Sequence, residues 1–423
     1  MLSTLKNAWK IPDLKKRILF TVFLVAIFRL GNHIPVPGID TAKLAAATQN
    51  QGGTLLGFYD LISGGAFSKL SIFANGIMPY INASIIMQLL TIAIPYLEQL
   101  SKEGEDGRKK IQKYTRYAAV VLAVIQAYGS YVIIWNQGAL TDTGKFSLFM
   151  IILTLTTASV FIMWLGDQIT MRGIGNGMSL IMFINIISRL PFTFYQVLTS
   201  EVNPIEIVVF VVIALALLLS VILMSMAERR IQVQYAGKTV GNKSYKGQST
   251  HIPINLTASG VIAIIFAMSV MQFPATIAQF WSTSWFNKYL VSGTFSPFRS
   301  DSPQYALVYV ALVIFFSWFY TQVTFKPDEM AENMHKSSGF IPGIRPGQHT
   351  ASYIERVLGR VSLIGGSYAA LIAIFPIIMS EYTSFKGIQF GGTSALIMVG
   401  VALDTMRQLE SQLVMRHYQG FLK

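Results

Sequence analysis

Stretches of mainly apolar, nearly uncharged residues recur from one end of the chain to the other, and they leave few folds open. An α-helix rises ~1.5 Å per residue, so about 20 such residues cross the ~30 Å hydrocarbon core of a bilayer. Ten stretches fit: 18–31, 71–97, 117–135, 146–165, 178–196, 204–227, 256–280, 305–324, 361–380 and 391–409. The first carries Arg29, so it is expected to extend toward Pro35 with Arg29 near the interface. It resembles a signal-peptide core, but no small-residue cleavage site follows, and it reads as a retained span. Composition agrees. Only 13% of the 423 residues are charged, where soluble domains carry about a quarter.

The net charge of +13 would point to nucleic acid in a soluble protein. Here its placement decides otherwise, because Lys and Arg in short loops mark the cytoplasmic side of a membrane protein. With a cytoplasmic N-terminus, that side receives Lys6, Lys10, Lys15, Lys16 and Arg17, the cluster at 102–116, and Arg172. It also receives the basic residues of 228–255, 325–360 and the C-terminal stretch. The far side holds only eight: Arg29, Lys43, Lys69, Lys145, Arg189, Lys288, Arg299 and Lys386. An even number of spans with both termini cytoplasmic follows. Residues 1–17 form a short basic amphipathic stretch suited to the membrane surface.

Two connections, 228–255 and 325–360, are long for a compact bundle, and loops beyond about 12–15 residues tend to be functional or disordered. Both are basic and glycine-containing, which favours a docking platform. Contact with anionic membrane lipids is the other reading. On the far side, Phe58, Leu61 and Ile62 share a helical face, but Ser63-Gly64-Gly65 weakens that helix. The pattern fits a re-entrant element and an ordinary surface hairpin about equally.

Recognisable catalytic chemistry is missing from the pattern. There is no Cys, and the five His form no paired-ligand spacing, so neither a metal nor a cofactor is expected. Gly173-Ile174-Gly175-Asn176-Gly177 has no preceding strand and no Lys-Ser/Thr, and it reads as a tight turn rather than a phosphate loop. Ion-coupled carriers keep ionisable groups at mid-membrane. Here the span centres lack charge, with Asp404 the exception near the end of the last span. Asn82, Gln88, Gln126 and Asn185 are the uncharged polar groups at mid-span, and for Gln126 and Asn185 interhelical hydrogen bonding is expected. A secondary transporter for a small solute is the competing class, and a membrane-embedded enzyme is disfavoured.

Several segments, in order, resemble the SecY family over essentially the whole chain. They are Phe28-Arg29-Leu30-Gly31 with Ile34-Pro35-Val36-Pro37-Gly38, Ser63-Gly64-Gly65-Ala66, and Ser71-Ile72-Phe73-Ala74-Asn75-Gly76-Ile77-Met78-Pro79-Tyr80-Ile81. Gln248-Ser249-Thr250-His251-Ile252-Pro253, Gly339-Phe340-Ile341-Pro342-Gly343-Ile344-Arg345-Pro346-Gly347 and Gly391-Gly392-Thr393-Ser394 follow.

The resemblance implies an all-α polytopic membrane protein of about ten transmembrane helices, in two pseudosymmetric inverted halves around a central hourglass pore. The halves are 18–200 and 201–423, hinged near 190–203. It implies a bacterial plasma-membrane channel that passes unfolded preproteins outward and releases hydrophobic helices sideways between the second and seventh spans. The family's apolar pore ring maps onto Ile77, Ile81, Met178, Met182, Ile265 and Ile397. The methionines stand where the family usually has Ile, and from the residues alone all six read as bundle core. The family's plug maps onto 57–70, with Tyr59, Leu61, Ile62, Gly64, Gly65 and Phe67. Asn82, Gln88 and Phe273 match positions lining the lateral gate, which signal sequences would use. Arg345 with Pro346 and Gly347 matches the loop that engages the SecA motor or the ribosome. Arg229, Arg230, Lys238, Lys243 and Lys246 would add positive charge there. SecE and SecG are the implied partner subunits.

Overall fold

The structure, a computed structural model, describes residues 8–40, 63–67, 69–136, 138–142, 144–199, 204–235, 238–240, 243–245, 249–257, 260–280, 302–382 and 392–420. Helices dominate. In chain order they are α1 (Pro12–Gly31), α2 (Met78–Ala93), α3 (Pro95–Lys102), α4 (Glu105–Asn136), α5 (Lys145–Arg172), α6 (Gly177–Thr199) and α7 (Pro204–Met226). After the first long loop come α8 (Gly260–Phe280), α9 (Pro303–Phe325), α10 (Pro327–Lys336), α11 (Gln348–Tyr382) and α12 (Gly392–Gly420). Proline opens α1, α3, α7, α9 and α10, where its missing N–H has no intrahelical partner to lose. The Ser302 hydroxyl caps α9 by accepting from the Tyr305 N–H at 3.2 Å.

Each of the ten expected spans contains helix. Among the described residues, α4, α5, α6, α7, α9 and α11 are long and apolar enough to cross a membrane. The second expected span departs from its sequence reading. Its helix starts at Met78, not Ser71, and α2 and α3 meet at a 99° bend. Pro95 excludes Ile94 from helical backbone, and Ile94 sits extended at φ −107°, ψ 113°. Residues before Met78 are turns, tied to the stretch after α1 by Ile72 N–H to Ile34 O (2.9 Å) and Val36 N–H to Leu70 O (3.0 Å).

Helix α5 packs against α1, α4 and α6, and α4 also packs against α2. Helices α8, α9, α11 and α12 pack among themselves, with α7 on α12. The two groups meet through α6 on α12 and α4 on α8. Leu14 of α1 and Leu409 of α12 share a small core with Ile174, so the start of α1 and the later part of α12 lie at one end of the bundle.

The long loops add short strands that the sequence reading did not contain. Strand β1 (Glu228–Tyr235) pairs antiparallel with β4 (Ser249–Asn255), Glu228 opposite Asn255 and Gln234 opposite Ser249. Its other edge takes β5 (Gly339–Phe340) from the second loop. Between β1 and β4, β2 (Lys238–Val240) and β3 (Lys243–Tyr245) form a hairpin. Ile231 and Val233 of β1 and Ile254 of β4 turn inward onto Met334 of α10, Ile341, and Ile354 and Leu358 of α11. The two loops therefore share one hydrophobic core.

Candidate functional site

The six residues of the expected ring come from four places far apart in sequence, and they fall in a single apolar cluster. Ile77 caps the start of α2 and Ile81 follows one turn later. Met178 and Met182 stand one turn apart on α6, because positions i and i+4 share a helix face. Ile265 comes from α8 and Ile397 from α12. Leu24 and Phe28 of α1, Phe73, and Ile162 of α5 are among the apolar residues packed with them. Ile77, Met182 and Ile397 are 2%, 5% and 1% exposed, while the other three are partly buried.

Beside this cluster, α2 and α8 touch through a polar bridge. The Ser269 hydroxyl donates to Asn82 Oδ1 at 2.9 Å. Below it, Ile85 of α2 packs into the core containing Met268 and Met271 of α8. Gln88 is exposed. Phe273 lies on α8, and its side chain is outside the described residues.

Segment 63–67 rests against the middle of α6. Ser63 Oγ accepts the Phe67 N–H at 3.1 Å, and Ser63 and Phe67 are both buried. Gly64 and Gly65 have φ +69° and +85°, a backbone region that favours glycine. Gly64 lies against Asn185 and Gly65 beside Arg189. Tyr59, Leu61 and Ile62 lie outside the described residues. Asn185 takes a hydrogen bond from Asn32 at 3.3 Å, joining α6 to the end of α1 as expected. Gln126 differs: its Oε1 is buried without a hydrogen-bond partner.

At the strand-bearing end, Arg345, Pro346 and Gly347 are exposed, in a turn where Gly343 and Gly347 have φ +82° and +93°. The Arg345 carbonyl accepts from Thr350 Oγ1 at 2.9 Å, which ties the turn to the start of α11. Arg229 and Arg230 are exposed at the start of β1, and Arg230 pairs with Glu228 at 2.6 Å. Lys238 and Lys243 lie on the β2–β3 hairpin with side chains outside the described residues, as is all of Lys246.

The SecY family profile matches residues 71–406. The chain belongs to the SecY family. The protein translocase subunit SecY of Streptomyces griseus is 43% identical, with both chains covered in full. The fold is also that of a protein-conducting channel (TM-score 0.66, 18% identity, 96% of both chains). A Sec61 chain from a canine ribosome–channel complex of the endoplasmic reticulum gives TM-score 0.63 at 17% identity, again over 96% of both. As a SecY-family chain with its run of apolar helices, it is a multi-pass membrane protein.

Two features of this SecY-family chain escaped the sequence reading. Ser269 was not singled out, although a mid-span Asn82 needs a partner and Ser269 is a small donor on a neighbouring span. Arg116 of α4 and Asp167 of α5 pair at 2.7 Å, with the Asp167 side chain only 13% exposed. Their signal was available: opposite charges at the ends of consecutive spans. Asp404, the exception noted among the span centres, is exposed. Among the described residues no group of His, Asp and Glu is arranged to hold a metal.

Proposed function

We propose that this chain is the channel subunit of a bacterial protein translocase, conducting unfolded preproteins across the plasma membrane and releasing hydrophobic helices sideways into lipid. The observation carrying this reading is the convergence of Ile77, Ile81, Met178, Met182, Ile265 and Ile397, from four separate helices or helix starts, in one apolar cluster. An apolar neck holds no water or ions by hydrogen bonding, so it gates by dewetting. It offers a passing peptide nothing specific to bind, so any sequence slides through. Methionine is unbranched and deformable, which suits a neck that closes around varied side chains.

The remaining roles follow from chemistry and from the family. The Asn82–Ser269 bridge between α2 and α8 is one weak tie across a seam that a signal sequence would part. Segment 57–70 covers the neck from outside. The halves 18–200 and 201–423 hinge near 190–203. Both termini are cytoplasmic, with residues 1–17 on the membrane surface and anionic lipids near the basic loops. Arg345 on its exposed turn, supported by Arg229 and Arg230, docks SecA or the ribosome, because a fixed multidentate guanidinium suits carboxylates and rRNA phosphates. Work is supplied by ATP hydrolysis in SecA or by translation, and SecE and SecG complete the assembly. A small-solute carrier is favoured by no observation on this chain.

The test is transport. Proteoliposomes containing this chain with its partner subunits, SecA and ATP are expected to protect a radiolabelled preprotein from external protease. Accumulation of a small solute without preprotein protection would overturn the proposal.

A further inference from the structure

Asn185 stands on the face of α6 that supplies the neck methionines. Met178, Met182, Asn185 and Arg189 follow at i, i+4, i+7 and i+11. Asn185 is therefore ~4.5 Å further along the axis than Met182. It is 1% exposed. Its Oδ1 accepts from Asn32 Nδ2 at 3.3 Å, and its backbone carbonyl accepts from Ser188 Oγ at 2.8 Å. Ser188 Oγ in turn accepts from Arg29 Nη1 of α1 at 2.9 Å.

Onto this polar knot sits the glycine pair. A methyl at Gly64 would lie 2.6 Å from Asn185 Oδ1 and 3.1 Å from the Asn185 Cα, and the second of those atoms is backbone. At Gly65 it would lie 3.4 Å from Arg189 Nε. Segment 63–67 approaches α6 this closely at Gly64 because no side chain stands there, and Gly65 beside it supplies the left-handed backbone.

We infer that Asn185 is a positioning residue: it seats the base of the covering segment at Gly64 on the same helix that carries Met178 and Met182, so cover and neck are coupled through α6. The inference rests on the channel reading above. Its physical content is simple. An outward shift of α6 that widens the neck also withdraws Asn185 from Gly64, and the cover loses its seat without a separate trigger.

The chain has no cysteine, so a Phe67→Cys variant carries a single thiol. Phe67 is 8% exposed. Its labelling rate by a membrane-impermeant maleimide, in proteoliposomes of the assembled complex, reports unseating. Adding Asn185→Leu, which removes the acceptor of the Asn32 bond that fixes the Asn185 side chain against Gly64, is expected to raise that rate about 2- to 12-fold, the range for one net hydrogen bond. Adding Gly64→Ala is expected to do the same, and both are expected to raise resting ion leak. Ile397→Asn runs alongside as a neck variant. If Ile397→Asn leaks while neither Asn185→Leu nor Gly64→Ala changes labelling or leak, the seat is wrong and the channel stands. If none of the three leaks, the channel reading itself is lost. A fall in melting temperature at unchanged Phe67→Cys labelling makes Asn185 a packing residue only and overturns the inference. Should Asn185→Leu fail to assemble, Gly64→Ala decides alone.

Discussion

Replacing Ile397 by Asn tests the neck most directly. Ile397 is 1% exposed, at the start of α12, in a cluster whose neighbours Ile77 and Met182 offer no hydrogen-bonding side chain. Losing the buried isoleucine costs about 1.5–3 kcal/mol. Burying an amide without a partner adds about 1–3 kcal/mol on protein mutational scales. A dry, closed neck is thus disfavoured by about 3–6 kcal/mol, while a wetted neck escapes the amide term. If only about 2–3 kcal/mol survives relaxation, the wetted population rises by roughly 30- to 150-fold, since 1.4 kcal/mol is tenfold. The assay is single-channel conductance of the purified complex in a planar bilayer, with Ile397→Val as control. Frequent resting openings are expected for Asn and near-silence for Val, together with export of preproteins carrying defective signals. Equal conductance and equal signal stringency in the two variants would refute the apolar-neck reasoning.

Arg345→Glu is expected to slow SecA-driven export several-fold at unchanged abundance, measured as preprotein protected per minute, because Arg345 is exposed and holds no structural ion pair among the described residues. Wild-type rates would remove Arg345 from docking. Asn82→Leu removes the acceptor of the Ser269 hydroxyl, and interhelical bonds of this kind average about 0.6 kcal/mol, so a two- to threefold rise in export of weak-signal preproteins is expected. Leu358→Ala empties a fully buried position in the core shared by the two long loops. A loss of about 2–5 kcal/mol is expected to appear as faster proteolysis within 325–360, with resting conductance unchanged. A leak in that variant would mean the loop core and the neck are one unit.

Helix within each expected span was legible because a bilayer imposes a length and a polarity that few other constraints blur, and among the described residues six of these helices are long and apolar enough to cross a membrane. The departures have local causes. The second span was read through Ser71 and Leu97 on hydropathy alone, although Gly76 and the Ile94-Pro95 step each mark a boundary. Strands β1 and β4 left a trace in Ile231-x-Val233 and Ile252-x-Ile254, a period-two pattern hidden in stretches that read as basic loops. Strand β5, two residues long, has no period to detect; only its pairing with Gln234 and Tyr235 creates it.

The neck is a different kind of case. Ile77, Met182 and Ile397 obey the same rule as Ile162 or Leu165, which is to be apolar and inward-facing. A closed dewetting gate and an ordinary bundle core ask for identical side chains, so no periodicity separates them, and only family resemblance singled out the six. What separates them physically is the neighbourhood just beyond. A core that never opens has no reason to carry, one turn past Met182, a buried Asn185 with left-handed Gly64 pressed against it from a segment outside the helix, and Gly65 beside Arg189 one turn on. Polar contacts of modest strength, each worth about 0.5–1.5 kcal/mol net, are suited to a joint that parts and re-forms. On the proposed channel reading, apolar packing would close the neck, and the hydrogen bonds around Asn185 would let that closure part and re-form.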